Sequence, residues 1–179
     1  MTPLHLKLKN FLSYREETDL DLAPIRIACL AGDNGAGKSA LLDAMTWAIW
    51  GKTRASNDRE VICIGETEME VTFIFRLGER DYRIFRRRSF ARGGASGQHT
   101  LEFYIGAPGS DDWLPIPGDN VGETQEGTVG VLNMDYETFV NSAFILQGKA
   151  DSFTQKAPSE RKKILGDILN LQEYDELAR

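Results

Sequence analysis

The first stretch, "LHLKLKNF", alternates, with Leu4, Leu6 and Leu8 on one side and polar residues on the other, which predicts a half-buried strand. "TDLDL" repeats the alternation until Pro24 ends it. "IRIACLA", residues 25–31, is a short apolar run ahead of glycines and predicts a buried strand. The period then changes. From Lys38 to about Gly51, Leu41, Leu42, Met45, Ala48 and Ile49 recur at helical spacing on one face, and Gly51 closes the helix. "MEVTFIFRL" and "RDYRIFRRR" flank Gly78 and Glu79 as the arms of a hairpin, with "HTLEFYI" as a third strand. "GAPGSDDWLPIPGDN" reads as turn-rich surface. Asp135 caps a short helix in "DYETFVNSA", and "FILQG" is a short strand or extended exit. "APSERKKILGDILNLQEYDELAR" is mostly helical. Its Ile164, Ile168 and Leu171 make an amphipathic stripe, too short to define a coiled coil by pattern alone. The chain shows no internal repeat and no low-complexity segment.

Composition narrows the class. The 179 residues, 41% hydrophobic and 27% charged, suit one globular domain with a real core. No apolar run approaches the roughly 18 residues of a membrane span, and "MTPLHLKLKNF" lacks the apolar core of a signal peptide. Cys29 and Cys63 make no disulfide framework, so a reducing cytoplasm is expected. A net charge of −6 excludes chain-wide attraction to nucleic acid. One local cluster remains: Arg83, Arg86, Arg87, Arg88 and Arg92. Strand alternation lets no more than half of them face one ligand, so the cluster reads first as a solvated hairpin and second as a DNA-backbone surface.

The chemistry lies in "GDNGAGKS", residues 32–39, which fits G-x-x-x-x-G-K-[ST] completely, with a predicted strand before it and a helix after it. The glycines let successive backbone N–H groups curl around a phosphate. Lys38 is placed to reach the β- and γ-phosphates, Ser39 to offer its hydroxyl to Mg²⁺, and the helix N-terminus to add its positive end. Hydrolysis also needs an acidic residue at the end of a second buried strand and a group to orient water. No run of four apolar residues precedes Asp-Glu in this chain; the nearest, "VICIGE", interposes Gly65. "GGASGQ" hints at an ABC-type signature in Ser96, Gly97 and Gln98, but it lacks the second glycine and is read as a loop.

Together "LKLKNFLSY", "GDNGAGKSALLDAMTWAIWG", "MDYETFVNSAFILQGKADSF" and "ERKKILGDILNL" resemble the N-terminal half of the SbcC-type (Rad-fifty-like) ATPase, an SMC-like, ABC-type family that partners an Mre-type nuclease in DNA double-strand-break repair. The resemblance covers nearly all the chain and is weakest at about residues 90–125. It implies an α/β P-loop NTPase fold of the ABC/SMC-head type, an N-terminal lobe with an antiparallel β meander beside the P-loop sheet. Residues 1–155 would be the head lobe, and residues 156–179 a helix leading into a truncated coiled coil. The implied cofactors are ATP and Mg²⁺, bound by Asp33, Asn34, Gly35, Ala36, Gly37, Lys38, Ser39 and Ala40. Gln147 is implied as the Q-loop residue that touches Mg²⁺ or the attacking water, and Lys38 as its catalytic counterpart. Ile62, Cys63 and Ile64 lie where the family's chain passes the nucleotide; a plain core strand is the other reading. Members often carry Arg after the Asn-Phe of the first strand. Leu12 stands there in this chain, so no nucleotide contact is carried over to Ser13, Tyr14 or Arg15.

The implied partners are the C-terminal half of the same ATPase, which brings signature, acid and switch histidine, the Mre-type nuclease, double-stranded DNA, and a second head joined on ATP. In a bacterium or archaeon the expected location is the cytoplasm, associated with the nucleoid, and no membrane partner is implied. The fragment alone is expected to be inactive. Three alternatives stand beside this reading: another SMC-like head of RecN or condensin-like type, a self-contained small P-loop kinase, and a dimerisation module using ATP as glue.

Overall fold

Gly78 and Glu79 close the most regular feature of the chain. β3 (Glu68–Leu77) and β4 (Arg80–Phe90) run antiparallel with Leu77 opposite Arg80. Gly78 takes φ 57°, the left-handed conformation that two-residue hairpin turns need. The computed structural model describes residues 1–91, 97–142 and 156–168. β5 (Gly97–Gly106) extends the sheet beyond β4, and the three-residue β6 (Trp113–Pro115) covers one end of its edge. On the other side β1 (Thr2–Lys9) pairs with β3, and β2 (Thr18–Asp21) with β1. The result is a six-stranded sheet in the order β2-β1-β3-β4-β5-β6, antiparallel throughout.

Alternation decides which face is buried. Met69, Val71, Phe73 and Phe75 of β3 are all inaccessible to solvent. The register sets Leu6, Phe73, Ile84 and Phe103 in one row across four strands, none more than 2% exposed. Helix α1 (Lys38–Trp50) lies against β3 and β4. It ends at Gly51, which takes φ 66° and returns its N–H to Trp47 O at 2.8 Å. Ala44, Trp47, Ala48 and Ile49 fill the core, while Leu42 is exposed and Met45 half-buried. The expected face is thus rotated toward Ala44 and Trp47. Asp43 can enter the interior because Arg54 grips its carboxylate with Nε and Nη2 at 2.6 to 3.1 Å.

Residues 25–31 do not form the expected strand. Ile27 is 94% exposed, Ile25 and Leu30 are partly exposed, and Cys29 faces solvent. A strand needs hydrogen-bonding neighbours for its backbone, and among the described residues no strand pairs with this one. The meander from β3 to β5 stands as expected.

The chain divides into two compact units, Met1–Thr128 and Val129–Arg179. Helix α2 (Val121–Leu132) starts directly after the turn-rich stretch, where the sequence pattern predicts no helix. Asn120 Oδ1 accepts from Glu123 N at 3.1 Å, and Glu123 Oε2 accepts from Asp119 N at 2.9 Å, a capping exchange that starts the helix. In the second unit α3 (Tyr136–Ser142) begins where Asp135 Oδ1 accepts from Thr138 N at 2.7 Å, as the cap predicted. α3 packs with α4 (Pro158–Ile168), whose Ile164 is buried. "FILQG", Leu171 and the rest of the expected coil foot lie outside the described residues.

Candidate functional site: a phosphate loop and its wall

Residues 32–37 lead directly into α1. Gly35 and Gly37 take φ 84° and 90°, conformations open to glycine, and Ala36 N donates to Asp33 O at 3.2 Å to fold the turn. The Lys38 ammonium reaches back across the loop and donates to Gly32 O at 2.6 Å and Asp33 O at 2.7 Å. Gly37 is the N-cap, no side chain caps the helix, and its first turn holds no acidic residue. The positive end of α1 is therefore left to whatever anion the loop receives. Asp33, Asn34, Gly35 and Ala36 are exposed, Gly37, Lys38 and Ser39 half-buried, and Ala40 buried, so Ala40 can offer only its backbone. The structure brings these eight residues together at one helix end. Gln147 lies outside the described residues.

Ser39 and the loop suit Mg²⁺ in its usual manner of binding, through one or two protein oxygens, substrate phosphates and water. Asp43, the next acid along α1, is committed to Arg54. Among the described residues no group of three His, Cys, Asp or Glu could hold a metal by itself.

A second segment forms a wall beside the loop. Residues 10–15 make a tight turn in which Phe11 and Tyr14 exchange backbone hydrogen bonds of 2.9 Å. The turn is fastened to the chain after α1: Leu12 N donates to Val61 O at 2.6 Å and Cys63 N to Asn10 O at 2.8 Å. Ile62 and Cys63 are buried, whereas Ile64 is 91% exposed. The stretch is no regular strand. It makes one bridge, between Phe11 and Ile62, before Gly65 at φ 93° turns it away. Ile62, Cys63, Ile64, Glu66, Arg59 and Phe90 line a cavity of about 500 Å³. Arg15 is held to this wall by Glu66 and by Ile64 O at 2.6 Å.

The arginine cluster separates into different jobs. Arg83 lies over Tyr104 and Trp113, with its guanidinium carbon 4.3 and 5.0 Å from the ring centres. Arg87 pairs with Glu68 and Glu70, and Arg88 stands 3.3 Å from Asp58. Arg92 lies outside the described residues. Arg86 is buried under the C-terminus of α1, where Nε donates to Ala48 O at 3.0 Å and Nη2 to Ile49 O at 3.4 Å. Nη2 also donates to Gln125 Oε1 at 2.5 Å, and Nη1 meets His99 Nε2 at 3.0 Å. Burial pulls the Arg86 pKa down to about 10, so it stays charged at neutral pH against the negative end of the helix. The same burial, with Arg86 and Arg88 adjacent, lowers His99 to about 4. The sequence reading missed this role. Strand parity was the available signal, since Arg86 shares a face with the apolar Ile84.

Gly97 and Gln98 of the decoy motif lie within β5, opposite Phe90 and Ser89, and not in a loop. Gly97 is needed there: an added Cβ would fall 2.0 Å from Ser89 O.

A phosphate loop at the head of a helix, laid on an antiparallel meander, defines a lobe of a P-loop NTPase of the ABC/SMC-head type. Residues 5–178 match the AAA domain family, and the chain belongs to that family. It is 31% identical over 174 residues to the SbcC subunit of the nuclease SbcCD from Deinococcus radiodurans, a match covering 96% of this chain and 19% of that protein. It is 36% identical over 171 residues to the DNA double-strand break repair Rad50 ATPase of Thermoplasma volcanium, covering 95% of this chain and 18% of that one. The chain thus spans 18–19% of the length of these two relatives. The SbcC and Rad-fifty resemblance read from the motifs is borne out. Among solved structures, the recombination mediator protein RecF with ATPrS aligns at TM-score 0.53 and 17% identity, over 93% of this chain and 38% of that chain, a likeness of fold.

Proposed function

We propose that this chain is the nucleotide-binding N-terminal lobe of a split ATPase head acting in DNA double-strand-break repair. The observation that carries the reading is the Lys38 ammonium, held over an uncapped helix N-terminus by the carbonyls of Gly32 and Asp33. A bound triphosphate would exchange those neutral acceptors for anionic oxygens, which hydrogen-bond an ammonium roughly twice as strongly. Backbone N–H groups of residues 33–40 would cradle the phosphates, and Lys38 would neutralise charge at the β- and γ-positions. Ser39 and, as the family resemblance implies, Gln147 would hold Mg²⁺, which when bound offsets phosphate charge. Ile64 and the cavity beside it would flank the nucleotide.

The exposed apolar run of residues 25–31 supports the split. Three apolar side chains that follow a strand pattern and stand in solvent suit a segment that pairs elsewhere. The C-terminal half of the ATPase would supply the neighbouring strands together with signature, acid and switch histidine. On this reading residues 1–155 form the lobe, and residues 156–179 run into a coiled coil. ATP joins two heads, and their closure gates an Mre-type nuclease on double-stranded DNA in the cytoplasm, at the nucleoid. Among the described residues no helix is long and apolar enough to cross a membrane.

Calorimetric titration with Mg-ATP tests the site. Lys38→Ala should weaken binding at least about tenfold, roughly 1.4 kcal/mol, since a unit-charge contact near 4 Å is worth about 4 kcal/mol before desolvation. Unchanged affinity would show that the nucleotide binds elsewhere.

A further inference from the structure

The turn of residues 10–15 lies outside the phosphate-loop pattern, yet it reaches the loop's last glycine. Tyr14 Oη donates to Gly37 O at 3.3 Å, and Ala40 N donates to the same oxygen at 2.9 Å. The contact is close on the side-chain level too. A Cβ placed on Gly37 would stand 2.9 Å from Tyr14 Cε2 and 2.5 Å from Ser13 Oγ. Burial raises the Tyr14 pKa above its ordinary value of 10, so the phenol keeps its proton for this bond.

We propose that Tyr14 is a positioning residue for the phosphate loop, holding the Gly37 peptide so that the Lys38 N–H faces the bound phosphate. This inference rests on the reading of residues 32–39 as a nucleotide site. A planar trans peptide points its C=O and N–H in opposite directions. Fixing Gly37 O from two donors therefore fixes the Lys38 N–H, the first amide of α1. A bond of 3.3 Å is long for a hydroxyl donor, which leaves it room to tighten when a ligand arrives. The residue that does the holding is itself held. Asn10 and Leu12 take φ 54° and 51°, left-handed values that asparagine tolerates but that strain a leucine. The bonds to Val61 and Cys63, and the mutual bonds between Phe11 and Tyr14, maintain that turn. A strained Leu12 beside a phosphate loop marks a segment shaped to present Tyr14, and the presented atom acts on phosphate and not on base.

The test compares the wild-type full chain with Tyr14→Phe by calorimetry, using Mg-ATP and, separately, inorganic tripolyphosphate, with thermal unfolding of both proteins alongside. Tyr14→Phe keeps the ring and loses the donor. It should weaken both ligands by the same factor, about three- to tenfold for one lost hydrogen bond, at an unchanged melting temperature. Equal affinity of the two proteins for ATP would overturn the inference while leaving the nucleotide site intact. A loss for ATP without one for tripolyphosphate would also overturn it, placing Tyr14 at the base. So would a loss that tracks a fall in melting temperature. A wild-type chain with no affinity for either ligand would sink the nucleotide reading itself, and this inference with it.

Discussion

Ile27 and Phe73 both sit in strand-like apolar runs, yet Ile27 is 94% exposed and Phe73 is inaccessible to solvent. The difference lies in where each run finds its neighbours. β3 meets β4 across a two-residue turn, so its partner arrives with little loop-closure cost, and β1 and β5 follow. Residues 25–31 run straight into the phosphate loop and α1, and no described strand pairs with them. A run of apolar residues encodes the wish to be buried, and the partner decides whether the wish is met. The meander half of this unit is finished on its own terms, and the half that carries residues 25–39 is not.

The finished half should break hardest at Arg86. Arg86→Ala removes the donors to Ala48 O and Gln125 Oε1 in a buried setting, while Ile49 O keeps its bond from Gln125 Nε2 at 2.8 Å, and it takes the buried cation from the negative end of α1. We expect a loss on the order of 3 kcal/mol or more in urea unfolding, because each buried acceptor left unpaired costs about 1–3 kcal/mol. A loss below about 1 kcal/mol would show that water replaces the guanidinium.

A smaller, pH-dependent effect belongs to His99. Its folded pKa of about 4 lies below the ordinary 6.5, so between those values the unfolded chain binds more protons. Stability should therefore rise with pH across that window and level off above it. His99→Gln keeps an acceptor for Arg86 and should remove the slope, measured as urea midpoints against pH. Asp81, held below the usual carboxylate range chiefly by its bond from Arg76, stabilises above its unfolded value. That contribution is lost only as the pH falls further. A slope that persists in His99→Gln would assign the window to another group.

The unfinished half should tolerate what the meander cannot. Ile27→Asn should change the stability of the chain by less than about 0.5 kcal/mol, as expected of an exposed site. A loss of several kcal/mol would mean that the run is buried in solution, and the contrast between the two regions would fail.

Legibility followed the same division. The strands β1, β3, β4 and β5 were readable because alternation and a Gly-Glu turn are local signals. Asp135 and Gly51 marked their helix ends for the same reason. Helix α2 was hidden by Gly122, Gly127 and Gly130, although Asn120 and Glu123 carried a capping signal. Arg86 was hidden among neighbours of identical type, since only the register tells a core arginine from its solvated companions. The phosphate loop was legible as a motif. The wall at residues 10–15 was not, because its contact with Gly37 joins residues far apart in the chain.

The most direct test of the split head is ATP turnover by this chain, alone and with the C-terminal half supplied as a second chain or on a tether. Phosphoryl transfer is mostly positioning and charge stabilisation, and on the proposed reading the loop would provide one side of both. The chain alone should bind Mg-ATP and hydrolyse it at or near background, and the C-terminal half should restore turnover and produce an ATP-dependent dimer. Robust turnover by the chain alone, retained through repurification and abolished by Lys38→Ala, would contradict the split head and favour a self-contained P-loop enzyme.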